Sequence, residues 1–270
     1  MRFVVLAPFA LAFGIAAGLP SPAAASEDLV PHEALYTLTL DQVKLGEEAQ
    51  SGDGQFLLRV ERKCTSWVLV SRLEFTLDFG GGRTLAIESS GNTEESLDGR
   101  SLRFTQEKRL NGQIVEAFKG RAALVEDGSE GLALFDVPPD LRLTLPPGTI
   151  FPVASAFHTV ENYKKGMKFQ SYLMFNGDAI EGPHLVTEVV TGTVEEVTHE
   201  AEGDTELLEG SGWRVVVSFF DFGAQDAEPT AVQRGEVLAN GVIPWFSIDM
   251  GAVEAGARLV SLRALKEPDC

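Results

Sequence analysis

The chain has 270 residues, room for one large domain or two small ones. Acidic side chains outnumber basic ones 40 to 22, a net charge of −18, which argues against a basic phosphate-binding surface and against DNA or RNA as a partner. The 44% hydrophobic fraction excludes disorder, and 27 Gly with 13 Pro favour many turns over a few long helices.

Residues 1–25 read as a cleaved secretory signal peptide. Arg2 precedes an uncharged apolar run from Phe3 to Gly18, followed by Pro20, Pro22 and the small residues Ala23-Ala24-Ala25. The run is too short for a membrane anchor, and no later stretch is long and apolar enough to span a bilayer. Residues 26–270 then form a single exported domain.

Period-two alternation begins at Tyr36-Thr37-Leu38-Thr39-Leu40 and marks a half-buried strand. Asp53-Gly54 signals a turn before a strand at Phe56 to Val60. Trp67 to Phe79 is a further strand, ended by Gly80-Gly81-Gly82. Strands follow at 84–88, 102–110, 113–118, 122–125 and 132–137. Asn111-Gly112 is the strongest two-residue hairpin signal among them.

The pattern changes at Pro146-Pro147-Gly148. Val153, Phe157, Val160 and Lys164 recur at helical spacing, Pro152 suits a first turn and Gly166 a stop. The spacing predicts one helix at 151–165, which either plugs the sheet or acts as a mobile lid over an apolar cavity. If its Val153, Phe157 and Val160 face is buried, Phe157→Ala costs roughly 3–5 kcal/mol.

Strands resume at 168–175, with Asn176-Gly177 as another hairpin turn, and continue at 184–191, 192–197, 213–222, 230–238, 243–249 and 257–265. The segment 195–209 carries seven acids and no Lys or Arg, and reads as a solvated, mobile loop. It lacks the ligand spacing of a calcium loop. Short strands with frequent turns predict an antiparallel barrel or sandwich, not a βαβ fold.

Little chemistry is visible. No G-x-S-x-G, P-loop or H-E-x-x-H motif occurs, and His32, His158, His184 and His199 lie in separate segments. Cys64 and Cys270 are the two cysteines, outside any C-x-x-C or zinc-like spacing. In an exported chain they read as one disulfide, with two free buried thiols as the alternative. A bond between them would fasten the strand at 257–265 beside the strand that starts near Trp67.

Four segments together carry a resemblance: Leu29-Val30-Pro31-His32-Glu33-Ala34-Leu35-Tyr36-Thr37-Leu38, Cys64-Thr65-Ser66-Trp67, Leu145-Pro146-Pro147-Gly148-Thr149-Ile150-Phe151-Pro152, and Leu238-Ala239-Asn240-Gly241-Val242 running on to Cys270. The chain resembles the periplasmic cell-envelope integrity protein B (EipB) family of alphaproteobacteria, first known as a domain of unknown function. It departs from the family pattern at Glu33, Thr37 and Met250. The resemblance implies an all-β, spiralled, incompletely closed antiparallel sheet wound around the helix at about 151–165. It implies a Cys64–Cys270 disulfide and a non-enzymatic periplasmic role in envelope integrity, through contacts with other envelope proteins or components. It supplies no catalytic residue, metal or cofactor. The outline is also similar to periplasmic lipoprotein carriers, so the alternative is a carrier of a lipid or acyl chain, with Val153, Phe157 and Val160 as candidate apolar lining. A hydrolase is the third reading.

Overall fold

The computed structural model describes residues 29–43, 49–126, 128–178, 180, 182–198, 200–223, 228–249 and 253–270. The expected signal peptide, His199 and Met250 lie outside them. The strands are β1 (His32–Val43), β2 (Ser51–Arg62), β3 (Ser66–Asp78), β4 (Thr84–Ser96), β5 (Ser101–Leu110), β6 (Gln113–Ala123), β7 (Gly131–Val137), β8 (Arg142–Leu145), β9 (Thr149–Ile150), β10 (Phe169–Met174), β11 (His184–Val194), β12 (Glu202–Gly203), β13 (Gly212–Phe220), β14 (Ala231–Leu238), β15 (Trp245–Asp249) and β16 (Val253–Ala264). One α-helix, α1 (Pro152–Lys164), follows β9.

The described residues form one sheet in the order β8-β7-β6-β5-β4-β3-β2-β1-β16-β15-β14-β13-β11-β10-β9, with β12 added beside β16. Pairing is antiparallel except where β9 meets β10 and β12 meets β16. The path's two ends, β8 and β9, adjoin in sequence across Pro146-Pro147-Gly148 but do not pair with each other. The sheet therefore curls into a nearly closed barrel with an unsealed seam, the incompletely closed form that the resemblance implied.

Apolar side chains bridge that seam where strand pairing does not. Leu145 of β8, Phe151 at the helix entry and Phe175 after β10 share one buried cluster with Leu102, Phe104 and Phe135. Phe104 meets Phe135 and Phe175 edge-on at 5.1 and 5.6 Å between ring centroids. A second core lies under β1 and β16, where Tyr36, fully buried, packs against Phe56 and Phe246. Its hydroxyl donates to the Ile243 carbonyl at 2.8 Å, which satisfies the one polar atom that the ring carries inside.

Several sequence expectations change. Asp53-Gly54 is not a turn but lies inside β2, because Gly54 is paired on both sides, with Leu38 and Phe75. A Cβ there would collide with the Glu74 backbone, so the glycine serves close strand approach. Asn111-Gly112 does form the tight hairpin between β5 and β6, with φ of 50° and 75°. Asn176-Gly177 instead opens the longer connection from β10 to β11. Of the expected strand at 122–125 only Ala122 and Ala123 are strand, as the end of β6, and the expected strands at 184–191 and 192–197 are one strand that ends at Val194, with a bulge between Val190 and Gly192. The acidic segment is docked, not a free loop: β12 pairs with Ser261 and Leu262, and Leu208 is buried against the Tyr36 core. Its apolar members Val197, Leu207 and Leu208 anchor it while most of its carboxylates stay in water.

Cys64 and Cys270 are joined, with Cα atoms 5.6 Å apart. The bond does not set the last strand beside β3, because β16 pairs with β1 and β15. It ties the coil that follows β16 to the turn between β2 and β3, and it lies away from the seam.

Candidate functional site

Helix α1 runs from Pro152 to Lys164, within a residue of the predicted span at each end, and Pro152 opens it. It packs on strands from both halves of the sheet path. Val153 and Val160 are buried in a cluster with Leu29, Val60 and Trp67. Phe157 is half-buried, edge-on to Trp67 at 5.7 Å between centroids. The expectation of a fully buried Phe157 is therefore corrected, since one side of the ring faces an open groove. Phe157→Ala should cost about 2 kcal/mol, below the range for a fully buried phenylalanine, as measured by urea unfolding.

The helix start has no side-chain cap of its own. Phe151 stands at the cap position, and Glu95 of β4 takes over that role from across the fold. Its carboxylate accepts the Val153 N–H at 2.7 Å and the Ala154 N–H at 2.8 Å. Two of the otherwise orphaned donors of the first turn are thus satisfied, at the positive end of the helix dipole. Burial pushes the Glu95 carboxyl up to about 7 from an ordinary 4.5, with the two N–H groups pulling the other way. A raised folded pKa means that the folded chain holds this proton more tightly. The Glu95 contribution to stability is therefore complete below pH about 4.5 and is lost as pH rises through about 7. Relative to Glu95→Gln, the wild-type chain should lose up to about 3 kcal/mol across that window. Melting curves of both proteins at a series of pH values give the difference directly.

Between α1 and the β10–β11 hairpin lies a buried polar cluster. Glu188, 4% exposed, accepts the Thr159 hydroxyl at 3.0 and 3.1 Å, Tyr163 Oη at 2.7 Å and Tyr172 Oη at 2.5 Å. Gln170 Nε2 also donates to it. Gln170 Oε1 in turn accepts from Asn162 Nδ2 at 2.7 Å, and Asn162 meets His158 Nε2 at 2.9 Å. The network thus runs from a buried carboxylate to an exposed imidazole. Burial and the adjacent Glu188 hold both tyrosine hydroxyls far above their usual pKa, so they remain donors.

On the outer side of the helix is a groove of about 390 Å³, bounded by Arg62, Trp67, Leu97, Phe157, His158 and Glu161, with Glu95 also on its lining. The Arg62 guanidinium lies 5.1 Å from the Trp67 ring centroid. Of the three sequence-predicted lining residues, Val153 and Phe157 border this groove, and Val160 packs beneath. A second concavity, of about 590 Å³, is framed by Glu195, Glu196, Glu200 and Glu209. Among the described residues no group of three His, Cys, Asp or Glu is placed to hold a metal.

Among the described residues the histidines His32, His158 and His184 lie on separate elements, β1, α1 and β11. His32 is buried, with Nδ1 against the Val30 carbonyl at 2.7 Å, and burial pushes its imidazole below the usual range. His184 Nε2 lies 2.9 Å from Asp178 Oδ1. Glu95 and Glu188 are the residues that sequence reasoning missed. Glu188 left a trace, since it shares the inward register of β11 with Val186. Glu95 left none, because Glu94-Glu95-Ser96 shows no apolar alternation.

Fold and site together define a nearly closed, barrel-like β protein whose buried carboxylates seat a helix. The chain belongs to the EipB-like family, which it matches over residues 23–266. It is 26% identical over 243 residues to the cell envelope integrity protein EipB of Brucella abortus (strain 2308), covering 89% of this chain and 86% of that protein. Its fold is similar to the crystal structure of a beta-barrel-like protein of domain of unknown function DUF1849 from Brucella abortus. The TM-score is 0.80 at 23% identity, covering 88% of this chain and 99% of the other. Among the described residues no helix is long and apolar enough to cross a membrane.

Proposed function

We propose that this chain is an exported, non-enzymatic protein of the periplasm that helps to maintain the cell envelope through contacts with envelope proteins or components. Similarity across most of the chain to a protein named for envelope integrity carries the reading. The disulfide supports an oxidising compartment. The two buried carboxylates support a structural use of the interior, since both are occupied in seating α1. The carrier reading draws less support. The helix face turned to β10 and β11 is occupied by Glu188 and its donors, where an acyl chain would need an apolar lining.

Deleting the gene in its own organism should sensitise cells to detergent and to wall-directed antibiotics. The full-length gene should restore resistance, and a version lacking residues 1–25 should not. Unchanged sensitivity in the deletion strain would overturn the proposal. A lipid retained through native mass spectrometry would favour the carrier.

A further inference from the structure

The whole-chain charge conceals a local reversal on the outer face of β5–β8. Leu102, Phe104, Ala122, Ala133 and Phe135 point inward from these strands. By alternation the residues between them point outward. Register then sets Arg103 directly opposite Arg121, Arg121 opposite Leu134, and Leu134 opposite Arg142. Lys119, two positions along β6 from Arg121, sits opposite Val137. Three arginines thus lie in one row, about 14 Å across at ordinary strand spacing, with a lysine beside it.

All four cationic side chains are exposed. Among the described residues none of the four makes a side-chain hydrogen bond or ion pair, although carboxylates outnumber cations in the chain. Glu94 is the cross-strand neighbour of Arg103, yet its carboxylate takes the Ser66 hydroxyl at 2.9 Å. Like charges set directly opposite on a sheet are destabilising, so Arg103 and Arg121 oppose folding at that pair. Apolar side chains accompany the row: Leu132 is 42% exposed and Val137 41%.

We propose that this face docks on a phosphate-bearing lipid surface. Guanidinium forks match phosphate oxygens in pairs, and a sheet face carrying them in a row meets a plane of headgroups more readily than a single small anion. Leu132, Leu134 and Val137 reach the boundary below the headgroups as the cations neutralise the phosphates. The net charge of −18 repels an anionic surface in general, which makes a local, oriented patch necessary for approach. The inference deepens the envelope reading and takes its compartment from it. Vesicle binding by purified protein is measured without that reading, so the two can fail separately.

The test is co-sedimentation of the purified protein with vesicles of phosphatidylcholine alone and of phosphatidylcholine with phosphatidylglycerol in equal parts. Binding is expected only to the anionic vesicles and should weaken as salt rises. Arg103→Gln, Arg121→Gln and Arg142→Gln combined should weaken it on the order of 100-fold, and Arg142→Gln alone about 5-fold. Neither variant should melt below wild type, since removing facing arginines relieves repulsion; a purely structural role would lower the melting temperature instead. Leu132→Ser with Val137→Ser should also weaken binding. The proposal is overturned if the wild-type protein stays in the supernatant, if the triple variant binds as tightly as wild type, or if glycerol phosphate is bound without retention on vesicles.

Discussion

Reducing the Cys64–Cys270 bond is expected to lower stability by several kcal/mol, with about 5 as the upper end. The bond joins residues 206 apart, so it removes a large share of the freedom of the unfolded chain. In the folded state it holds the coil after Ala264, whose backbone contacts include Leu265 N–H to the Pro31 carbonyl at 2.9 Å. Cys64→Ser and Cys270→Ser should be equally harmful, and the double variant no worse than either, because each removes the same constraint. Urea unfolding with and without reductant measures the loss. The dependence on urea should steepen after reduction, as an uncrosslinked chain exposes more surface on unfolding. Two free thiols in unreduced, denatured protein would show that the bond does not form. An oxidised dimer would show that it forms between chains.

Glu188→Ala should cost about 3–5 kcal/mol, the range for removing one partner from a buried charged network. The carboxylate accepts from Thr159, Tyr163, Gln170 and Tyr172. Alanine leaves those donors facing a small void with no acceptor. Glu188→Gln keeps the shape but turns one acceptor into a donor facing donors, so a loss of about 1–3 kcal/mol is expected. Tyr163→Phe in the Glu188→Ala background should cost less than in wild type, because its hydroxyl is already unpaired there. Equilibrium unfolding of the four proteins closes that cycle. A Glu188→Ala loss below about 1 kcal/mol would mean that solvent replaces the carboxylate, and that α1 is seated by its apolar face alone.

Most of the local elements of this protein are legible in its amino-acid sequence. Period-two alternation in Tyr36 to Leu40 and Trp67 to Phe79, the Asn111-Gly112 turn, and a helix bracketed by Pro152 and Gly166 are all short-range effects of backbone sterics and side-chain direction. Tertiary structure alone decided what depends on distant partners. Gly54 is a strand residue because β1 and β3 flank it. The acidic segment docks because Leu208 finds the Tyr36 core. Glu95 matters through donors 58 and 59 positions away and Glu188 through donors 16 to 29 away, and no local pattern announces such pairs. The same holds for the arginine row, whose three members lie on β5, β6 and β8 and fall in one line only when register aligns them. Periodicity shows which face of a strand a residue occupies; only the pairing of strands shows what stands beside it.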